Sequence, residues 1–378
     1  RDLKFAMSNR IEDLCFRGDL SFVPGPGHRL ELGHELKALD FHFDRRTEEE
    51  YLRFDYDGTY GGLYLQDTWT PSRPWEIQGG LRADYYSGGR YFRAGPRLRV
   101  RREVNAITSA SLSYGVYHQF LNLVSPEGST GASDWWFPVD RTVKPGRADH
   151  YVAGLEIRPR QEYNLVCEAY YKPYHNVVEF SEEYTRSVIE PDAELDELFN
   201  SGRGRAYGVE VYLRNEWAGF SGWVGYTWGV TRRRIHGYNS DKEFTPTHDR
   251  KHQFVMTQEH GLGRGWRGEV SLRYGTGQPV TLATARYLVR DITGREYHTV
   301  LDGEKNAYRL PGYFRLDLSI QKRWKFRGWE LEPSIQAINV LDHDNVYLRL
   351  YDLEENPAKY HDITMLPFVP SITLNVFF

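Results

Sequence analysis

The sequence lacks several features that mark soluble enzymes and helical membrane proteins. Its 378 residues include only 3 methionines and 2 cysteines, and the cysteines, Cys15 and Cys167, lie too far apart for a metal-binding motif. No stretch approaches the roughly 18 consecutive apolar residues of a transmembrane helix. The formal net charge of -4 is small for this length. The composition therefore excludes a helical membrane protein and gives no indication of a nucleic-acid partner.

Short catalytic motifs are also missing. The sequence contains no G-x-S-x-G, no H-E-x-x-H, no paired-cysteine motif and no phosphate-binding loop. His248, Asp249 and His252 form a group of potential metal ligands, but their position just before a strand favours a structural role. The sequence therefore predicts no enzyme, no catalytic residue, no metal site and no cofactor.

Aromatic residues, glycine and alternating polarity are plentiful instead. Aromatics make up 15% of the chain, and glycine occurs 35 times. At the C-terminus Ile372, Leu374, Val376 and Phe378 alternate with small polar residues, which predicts a β-strand with one apolar face. Comparable alternation recurs as about fifteen segments of roughly ten residues, the length of a strand that crosses a bilayer at a tilt.

The connections between these segments alternate between short turns and long loops. Outer-membrane β-barrels show this asymmetry, with short periplasmic turns and long external loops. Most tryptophans lie beside the short turns, where an aromatic belt at one membrane interface places them. These tryptophans are Trp69, Trp75, Trp217, Trp223, Trp266, Trp324 and Trp329. We predict an all-β, transmembrane antiparallel β-barrel of about 15–16 strands in the outer membrane, with lipid as its first partner.

The strand count bears on the domain organisation. An odd number of strands would leave the two termini on opposite sides of the membrane, whereas bacterial barrels normally have an even number. We therefore expect residues 1–378 to form the C-terminal portion of a larger outer-membrane barrel. Residues 2–9 are interpreted as the stump of a missing strand.

Short motifs in order along residues 60–378 resemble those of TonB-dependent outer-membrane receptors. They are Gly-Leu-Tyr-Leu-Gln-Asp-Thr-Trp (62–69), Gly-Leu-Arg-Ala-Asp-Tyr (80–85), Gly-Pro-Arg (95–97), Ser-Tyr-Gly (113–115), Gly-Val-Glu (208–210), the polar segment 248–254 and Asn-Val-Leu-Asp (339–342). In that family a barrel of twenty-two strands encloses an N-terminal plug domain. The resemblance implies that this chain has no plug domain.

The resemblance also implies a function and partners. The family captures siderophores, haem, cobalamin or glycans at its external loops and imports them with energy from TonB. TonB would act through a plug domain that this chain does not contain, and the barrel-assembly machinery would recognise the C-terminal strand through Phe378. A passive, porin-like channel of about 16 strands, closed by residues 2–9 against the last strand, is the alternative.

The loop between residues 119 and 149 supplies the candidate ligand-binding residues. Asp134, Trp135, Trp136 and Phe137 place three successive aromatics in a long connection, where full exposure to water is unfavourable. They could stack on a sugar or an aromatic chelate, or they could pack the loop against its neighbours. Charged side chains on the polar strand faces, among them Arg82 and Asp84, are expected to pair across strands as wall structure.

Overall fold

The computed structural model describes residues 6–46, 51–124, 135–181, 195–290, 296–352 and 359–378. Most of them are in β-strands. Among these residues the helices are one short α-helix, α1 (Leu195–Leu198), and a 3-10 turn (Asn239–Asp241). No helix in these ranges is long and apolar enough to cross a membrane.

The strands follow one another with short interruptions. In chain order they are β1 (Ala6–Gly25), β2 (His28–Arg46), β3 (Tyr51–Ser72), β4 (Trp75–Tyr86), β5 (Tyr91–Asn105), β6 (Thr108–Gln119), β7 (Leu121–Val124), β8 (Trp135–Pro138), β9 (Gly146–Ile157), β10 (Tyr163–Phe180), β11 (Phe199–Trp217), β12 (Phe220–Ile235), β13 (His252–Gly263), β14 (Trp266–Gly275), β15 (Pro279–Val280), β16 (Ala283–Arg290), β17 (Glu296–Asp302), β18 (Tyr308–Arg309), β19 (Tyr313–Lys322), β20 (Trp324–Phe326), β21 (Trp329–Ile338), β22 (Val346–Asp352), β23 (Lys359–Thr364) and β24 (Val369–Phe377).

Sixteen of these strands form one sheet, in the order β1-β2-β3-β4-β5-β6-β9-β10-β11-β12-β13-β14-β19-β21-β20, with β24 paired to β21. Only Arg323 separates β19 from the short β20. The remaining strands form four two-stranded sheets inside the long connections: β7-β8, β15-β18, β16-β17 and β22-β23. The predicted all-β class and the count of about 15–16 strands are confirmed.

The chain divides into two compact units. Unit 1 contains residues 1–153, 170–206 and 232–243, and unit 2 contains residues 154–169, 207–231 and 244–378. Unit 1 therefore includes β1 to β8, and unit 2 includes β13 to β24. Strands β9 to β12 each contribute residues to both units.

In unit 1 the sheet has one apolar and one polar face. Leu32 of β2 lies directly opposite Leu20 of β1 and Leu65 of β3, and Leu81 of β4 continues the same row. All four side chains are exposed. A continuous apolar band of this kind is unfavourable in water but stable against lipid hydrocarbon. The band therefore confirms the period-2 pattern that predicted bilayer-crossing strands.

The last strand of unit 2 shows the same alternation. Ile372 of β24 pairs with Ile335 of β21, and both are exposed, as is Leu374. Ser334 and Thr373 form the neighbouring pair, so small polar groups occupy the other face. Phe378 follows the end of β24 and is fully exposed. Its role as an assembly signal stays a prediction.

Within each unit, connections between the long strands are short at one end, called here the short-turn end, and longer at the other, the long-loop end. The short-turn end includes the turns at residues 26–27, 73–74 and 106–107 in unit 1, and those at 218–219 and 264–265 in unit 2. Gly27 shows why such turns carry a sequence signal. Its φ is +77°, and a Cβ there would lie 2.7 Å from the Thr70 carbonyl oxygen, so only glycine fits without strain.

The first strands are longer than the roughly ten residues expected of a bilayer crossing. β1, β2 and β3 contain 20, 19 and 22 residues, and β2 and β3 remain paired as far as Arg46 and Tyr51. Residues 44–46 are therefore part of a strand, although their charged side chains resemble those of a solvated loop. The interpretation of residues 2–9 as a separate stump was wrong for residues 6–9, which belong to β1; residues 2–5 lie outside the described residues.

Candidate ligand-binding site

β2 and β3 extend past the apolar band, and their ends near Arg46 and Tyr51 carry aromatic side chains. These side chains lie on the face of the sheet that is polar at the level of the band. Phe43 lies opposite Phe54, with ring centroids 6.2 Å apart, and Phe41 lies opposite Tyr56 at 6.4 Å. Phe41 and Phe43 are buried although they lie beyond the apolar band. Something other than lipid must therefore cover them.

Two long connections of unit 1 provide this cover. The connection between β6 and β9 contributes Val124, Phe137 and Val143, and the connection between β10 and β11 contributes Leu198 and flanking phenylalanines. We call this cluster the aromatic cap. Its buried members are Phe41, Phe43, Val124, Phe137, Val143, Phe180, Leu198 and Phe199. Burial of each large side chain stabilises the folded loops by about 1.5–3 kcal/mol.

Phe137 lies at the centre of the aromatic cap. Its ring is stacked on Phe199 with centroids 4.1 Å apart and an interplanar angle of 3°. Phe180 meets the same Phe199 ring edge-on at 5.5 Å. Phe137 is 0% exposed. Its side chain therefore packs the loop, which is one of the two roles considered from the sequence.

The other predicted residues of this loop are placed differently. Asp134 lies outside the described residues, and Trp135 is described only as a backbone position in β8. Trp136 is 40% exposed, and its carbonyl accepts a hydrogen bond from Asn9 Nδ2 at 3.4 Å. Leu123, its cross-strand partner in β7, is 47% exposed. The β7-β8 hairpin thus has a buried face on the aromatic cap and an outer face with Trp136 and Leu123.

The turn after β8 is held by Asp140. Its Oδ1 accepts hydrogen bonds from the Thr142 and Val143 backbone N–H groups at 2.8 and 2.7 Å, and from the Thr142 hydroxyl at 2.8 Å. A tight turn is commonly stabilised by an aspartate side chain that accepts hydrogen bonds from backbone N–H groups two or three residues later in the chain. This turn places Val143 in the aromatic cap. The position of Trp136 is therefore set by packing on one side and a hydrogen-bonded turn on the other.

A charged cluster on the polar face lies beside the start of this loop. Arg82 donates hydrogen bonds to Asp84 Oδ1 and Glu35 Oε2 at 2.8 Å each, and to the Tyr60 hydroxyl at 2.7 Å. The Tyr60 ring packs against Phe120, with centroids 5.8 Å apart. The predicted pairing of wall charges across strands is confirmed for Arg82 and Glu35 of β2, whereas the Arg82–Asp84 pair lies within β4. Arg82 and Asp84 also anchor the first residue of the loop through Tyr60.

In unit 2 a buried ion pair joins two loops of the long-loop end. Asp249 accepts a hydrogen bond from the Arg309 guanidinium at 2.5 Å and another from the Thr231 backbone N–H at 2.8 Å. Asn306 donates to the Thr245 carbonyl at 2.8 Å. Asp249 is therefore a structural anchor, as its position before β13 indicated. In the described part of the chain no three His, Cys, Asp or Glu side chains are arranged to hold a metal ion.

A second anchor of unit 2 closes the β22-β23 hairpin. Arg349 donates two parallel hydrogen bonds to Asp362, at 2.7 and 2.8 Å, and its guanidinium lies 3.9 Å from the Tyr360 ring centroid. The hydrogen bonds from Arg349 lower the pKa of the Asp362 carboxyl and raise that of the guanidinium. Bidentate pairs of this kind are among the stronger polar contacts in proteins.

The fold and the covered loops define a class: an antiparallel β-sheet protein with a lipid-facing band and structured long loops. The chain belongs to the family of TonB-dependent receptor-like β-barrels, whose model matches residues 16–345. This family is located in the outer membrane and its members are transport proteins rather than enzymes. No curated protein shows significant sequence similarity to the chain.

Solved structures with the same fold are outer-membrane receptors. The ferripyoverdine receptor of the outer membrane of Pseudomonas aeruginosa, bound to ferripyoverdine, has a TM-score of 0.63 and 14% identity over 99% of this chain and 49% of that one. The siderophore receptor PirA from Acinetobacter baumannii has a TM-score of 0.64 and 10% identity over 98% and 55%. The ferric-catecholate import receptor Fiu from K12 E. coli has a TM-score of 0.61 and 14% identity over 98% and 55%. The chain spans about half the length of these receptors.

Proposed function

We propose that this chain is the ligand-binding part of a receptor that captures a scarce small molecule at its long-loop end for TonB-energised import. The aromatic cap is the observation that carries this proposal. Loops that only connected strands would not need a buried core of their own, because short connections suffice. A packed loop core holds exposed side chains in fixed positions, which reduces the entropy lost on binding.

The outer face of the β7-β8 hairpin is the proposed contact surface. Trp136 and Leu123 lie opposite each other and expose apolar surface, while the other side of the hairpin is anchored through Phe137. Exposed aromatics on a rigid support can stack on a flat chelate, a porphyrin or a sugar ring. Asp134 and Trp135 remain proposed members of this surface.

The proposed ligand classes are those of the family: siderophores, haem, cobalamin or glycans. The structurally similar receptor from Pseudomonas aeruginosa is bound to ferripyoverdine. Iron chelates are therefore the first class of ligand to test. The proposed partners are TonB, acting through a plug domain, and the barrel-assembly machinery, acting on the C-terminal strand with Phe378. The family match favours this function over a passive channel.

Uptake by cells tests the proposal. Cells that produce the protein together with its plug domain are supplied with radiolabelled ferric siderophores, haem, cobalamin and oligosaccharides, one at a time. We expect accumulation of one class, and we expect a protonophore or loss of TonB to abolish it. Accumulation that follows the external concentration and is indifferent to both treatments would instead identify a passive channel.

A further inference from the structure

One lysine of unit 2 lies on the lipid-facing side of the sheet, at its short-turn end. Ile320 of β19 pairs with the exposed Ile335 of β21 and is itself exposed, so β19 presents its even-numbered residues to lipid. Lys322 is the next residue on that face and the last residue of β19. At about 3.4 Å per residue it lies about 7 Å beyond Ile320. Lys322 is therefore at the edge of the apolar band, where hydrocarbon gives way to lipid headgroups.

Two tryptophans flank the ammonium group of Lys322. Nζ lies 4.9 Å from the ring centroid of Trp266, its cross-strand partner in β14, and 5.3 Å from that of Trp324 in β20. Both indoles are exposed. A cation beside an aromatic face is attracted to it, most strongly to the indole of tryptophan. Tryptophan side chains also mark the level of the lipid headgroups. The ammonium is therefore held against the sheet at that level.

Lys322 forms no ion pair or hydrogen bond through its ammonium with any described residue, although the next basic residues have acidic partners. Arg323 pairs with Glu332 at 2.6 Å. Lys325 pairs with Glu330 at 3.3 Å. Both glutamates are on the polar face of β21, so these pairs lie on the other side of the sheet. An ammonium has three N–H donors, and two indole faces engage at most two of them. A positive charge and a donor are therefore left for a group on the lipid-facing side.

The backbone around Lys322 is fixed by the turn between β13 and β14. The Arg323 backbone N–H donates a hydrogen bond to the Gly265 carbonyl at 2.9 Å. The φ of Gly265 is +80°, and a Cβ there would lie 2.6 Å from the Arg323 carbonyl oxygen, so this close approach requires glycine. The turn thus ties β14, which begins at Trp266, to the end of β19. A site held in this way loses little entropy when it binds a ligand.

We infer that Lys322, Trp266 and Trp324 bind the phosphate group of an anionic phospholipid in the leaflet at the short-turn end. The ammonium supplies the positive charge and the remaining N–H donor, and the two indoles flank the headgroup. The exposed side chains of Ile320 and Leu318 continue directly from the ammonium and give the acyl chains an apolar surface. A free phosphate would gain nothing from that surface, so the occupant is a lipid. The inference is independent of the proposed import function, because it concerns the outer face of the sheet.

Photo-crosslinking of a lipid to the full chain tests this site. The chain is inserted into phosphatidylcholine vesicles that contain a small fraction of phosphatidylglycerol with a diazirine in its acyl chain. The yield of labelled peptides from β14 and β19 is measured by mass spectrometry. We expect this probe to label the two strands about fivefold more than a phosphatidylcholine probe with the same acyl chain, because one basic residue near the membrane surface contributes about that factor of attraction for an anionic lipid.

The variants separate the charge of Lys322 from the packing of the turn. Lys322→Gln should lower the labelling by phosphatidylglycerol about fivefold, to the level of the phosphatidylcholine probe, whereas Lys322→Arg should keep it. Trp324→Leu should also lower it, because the ammonium is then no longer held at the headgroup level. Lys325→Gln is the matched control and should leave labelling unchanged, because Lys325 is in the same segment but is paired with Glu330 on the polar face. All variants are first checked for an unchanged far-ultraviolet circular dichroism spectrum, so that a folding defect is not taken for a binding defect.

Three outcomes would overturn the inference. One is labelling of β14 and β19 that is the same with both probes, or the same in the wild type and Lys322→Gln. Another is an equal loss of labelling in Lys322→Gln and Lys322→Arg, which would assign Lys322 to the packing of the turn. The third is displacement of the phosphatidylglycerol probe by an equal concentration of soluble glycerol phosphate, which would identify a site for free phosphates rather than for a lipid.

Discussion

Replacement of Phe137 by alanine should loosen the aromatic cap without unfolding the sheet. Phe137 is fully buried and stacked on Phe199, which in turn contacts Phe180. Truncation of a buried phenylalanine costs about 3–5 kcal/mol, which includes the cavity that it leaves. Because the cap is a local cluster on the strand ends, this cost should appear as easier local opening. A loss of about 3–5 kcal/mol corresponds to roughly a hundredfold to several-thousandfold less protection from opening.

Hydrogen exchange measured by mass spectrometry can locate this effect. In Phe137→Ala the amides of residues 135–143 and of the start of β11 should exchange faster, while those of β4 keep their wild-type rates. Trp136→Ala is the matched control, because Trp136 precedes Phe137 and is 40% exposed. If the two variants accelerated exchange equally, or if Phe137→Ala had no effect, the cap would not be held by Phe137.

Two further predictions concern unit 2. Leu374→Arg should lower the free energy of unfolding in lipid by about 2–4 kcal/mol if this face meets the bilayer midplane, and Leu374→Ala is its control. The free energy is measured by reversible urea unfolding from vesicles. An unchanged free energy of unfolding in Leu374→Arg would contradict the assignment of this face to lipid. The lowered pKa of Asp362 makes its contribution to the β22-β23 hairpin complete above the ordinary carboxyl pKa of about 3.9 and lost as the pH falls below it. Amide protection of this hairpin, corrected for intrinsic exchange, should stay constant from about pH 7 to 5 and decline below about 4. Asp362→Asn should remove the decline, and an equal decline in that variant would assign it to other groups.

The strands were predictable from the sequence because their determinant is local. The period-2 alternation that ends at Ile372 and Leu374 reflects two different solvents on the two faces of each strand, and this contrast is visible in any short window. The pairing of Arg82 with a charge on another strand, Glu35, followed from the same reasoning, because both residues lie on the polar face of the sheet. The tight turn at Gly27 was likewise predictable from the glycine itself, because the turn requires a positive φ.

The extent of β2 and β3 was not predictable in this way. Charged residues such as Asp44 and Arg46 resemble a solvated loop, and only the burial of Phe43 under distant loop residues shows that the strand continues. The packing role of Phe137 also depends on Phe199, which is far away in sequence. Such contacts leave no periodic signal, because each partner lies in a separate connection of irregular length.

The affinity of the imported ligand for the Trp136→Ala variant tests the central claim most directly. Trp69→Ala serves as the control, because Trp69 is at the short-turn end and is 41% exposed, compared with 40% for Trp136. Equilibrium binding of the ligand found in the uptake experiment is measured with the full-length receptor. If the aromatic cap presents the ligand-binding surface, Trp136→Ala weakens binding by about 1–3 kcal/mol and Trp69→Ala has no effect. Equal affinities for the wild type and both variants would contradict the assignment of the ligand site to this loop.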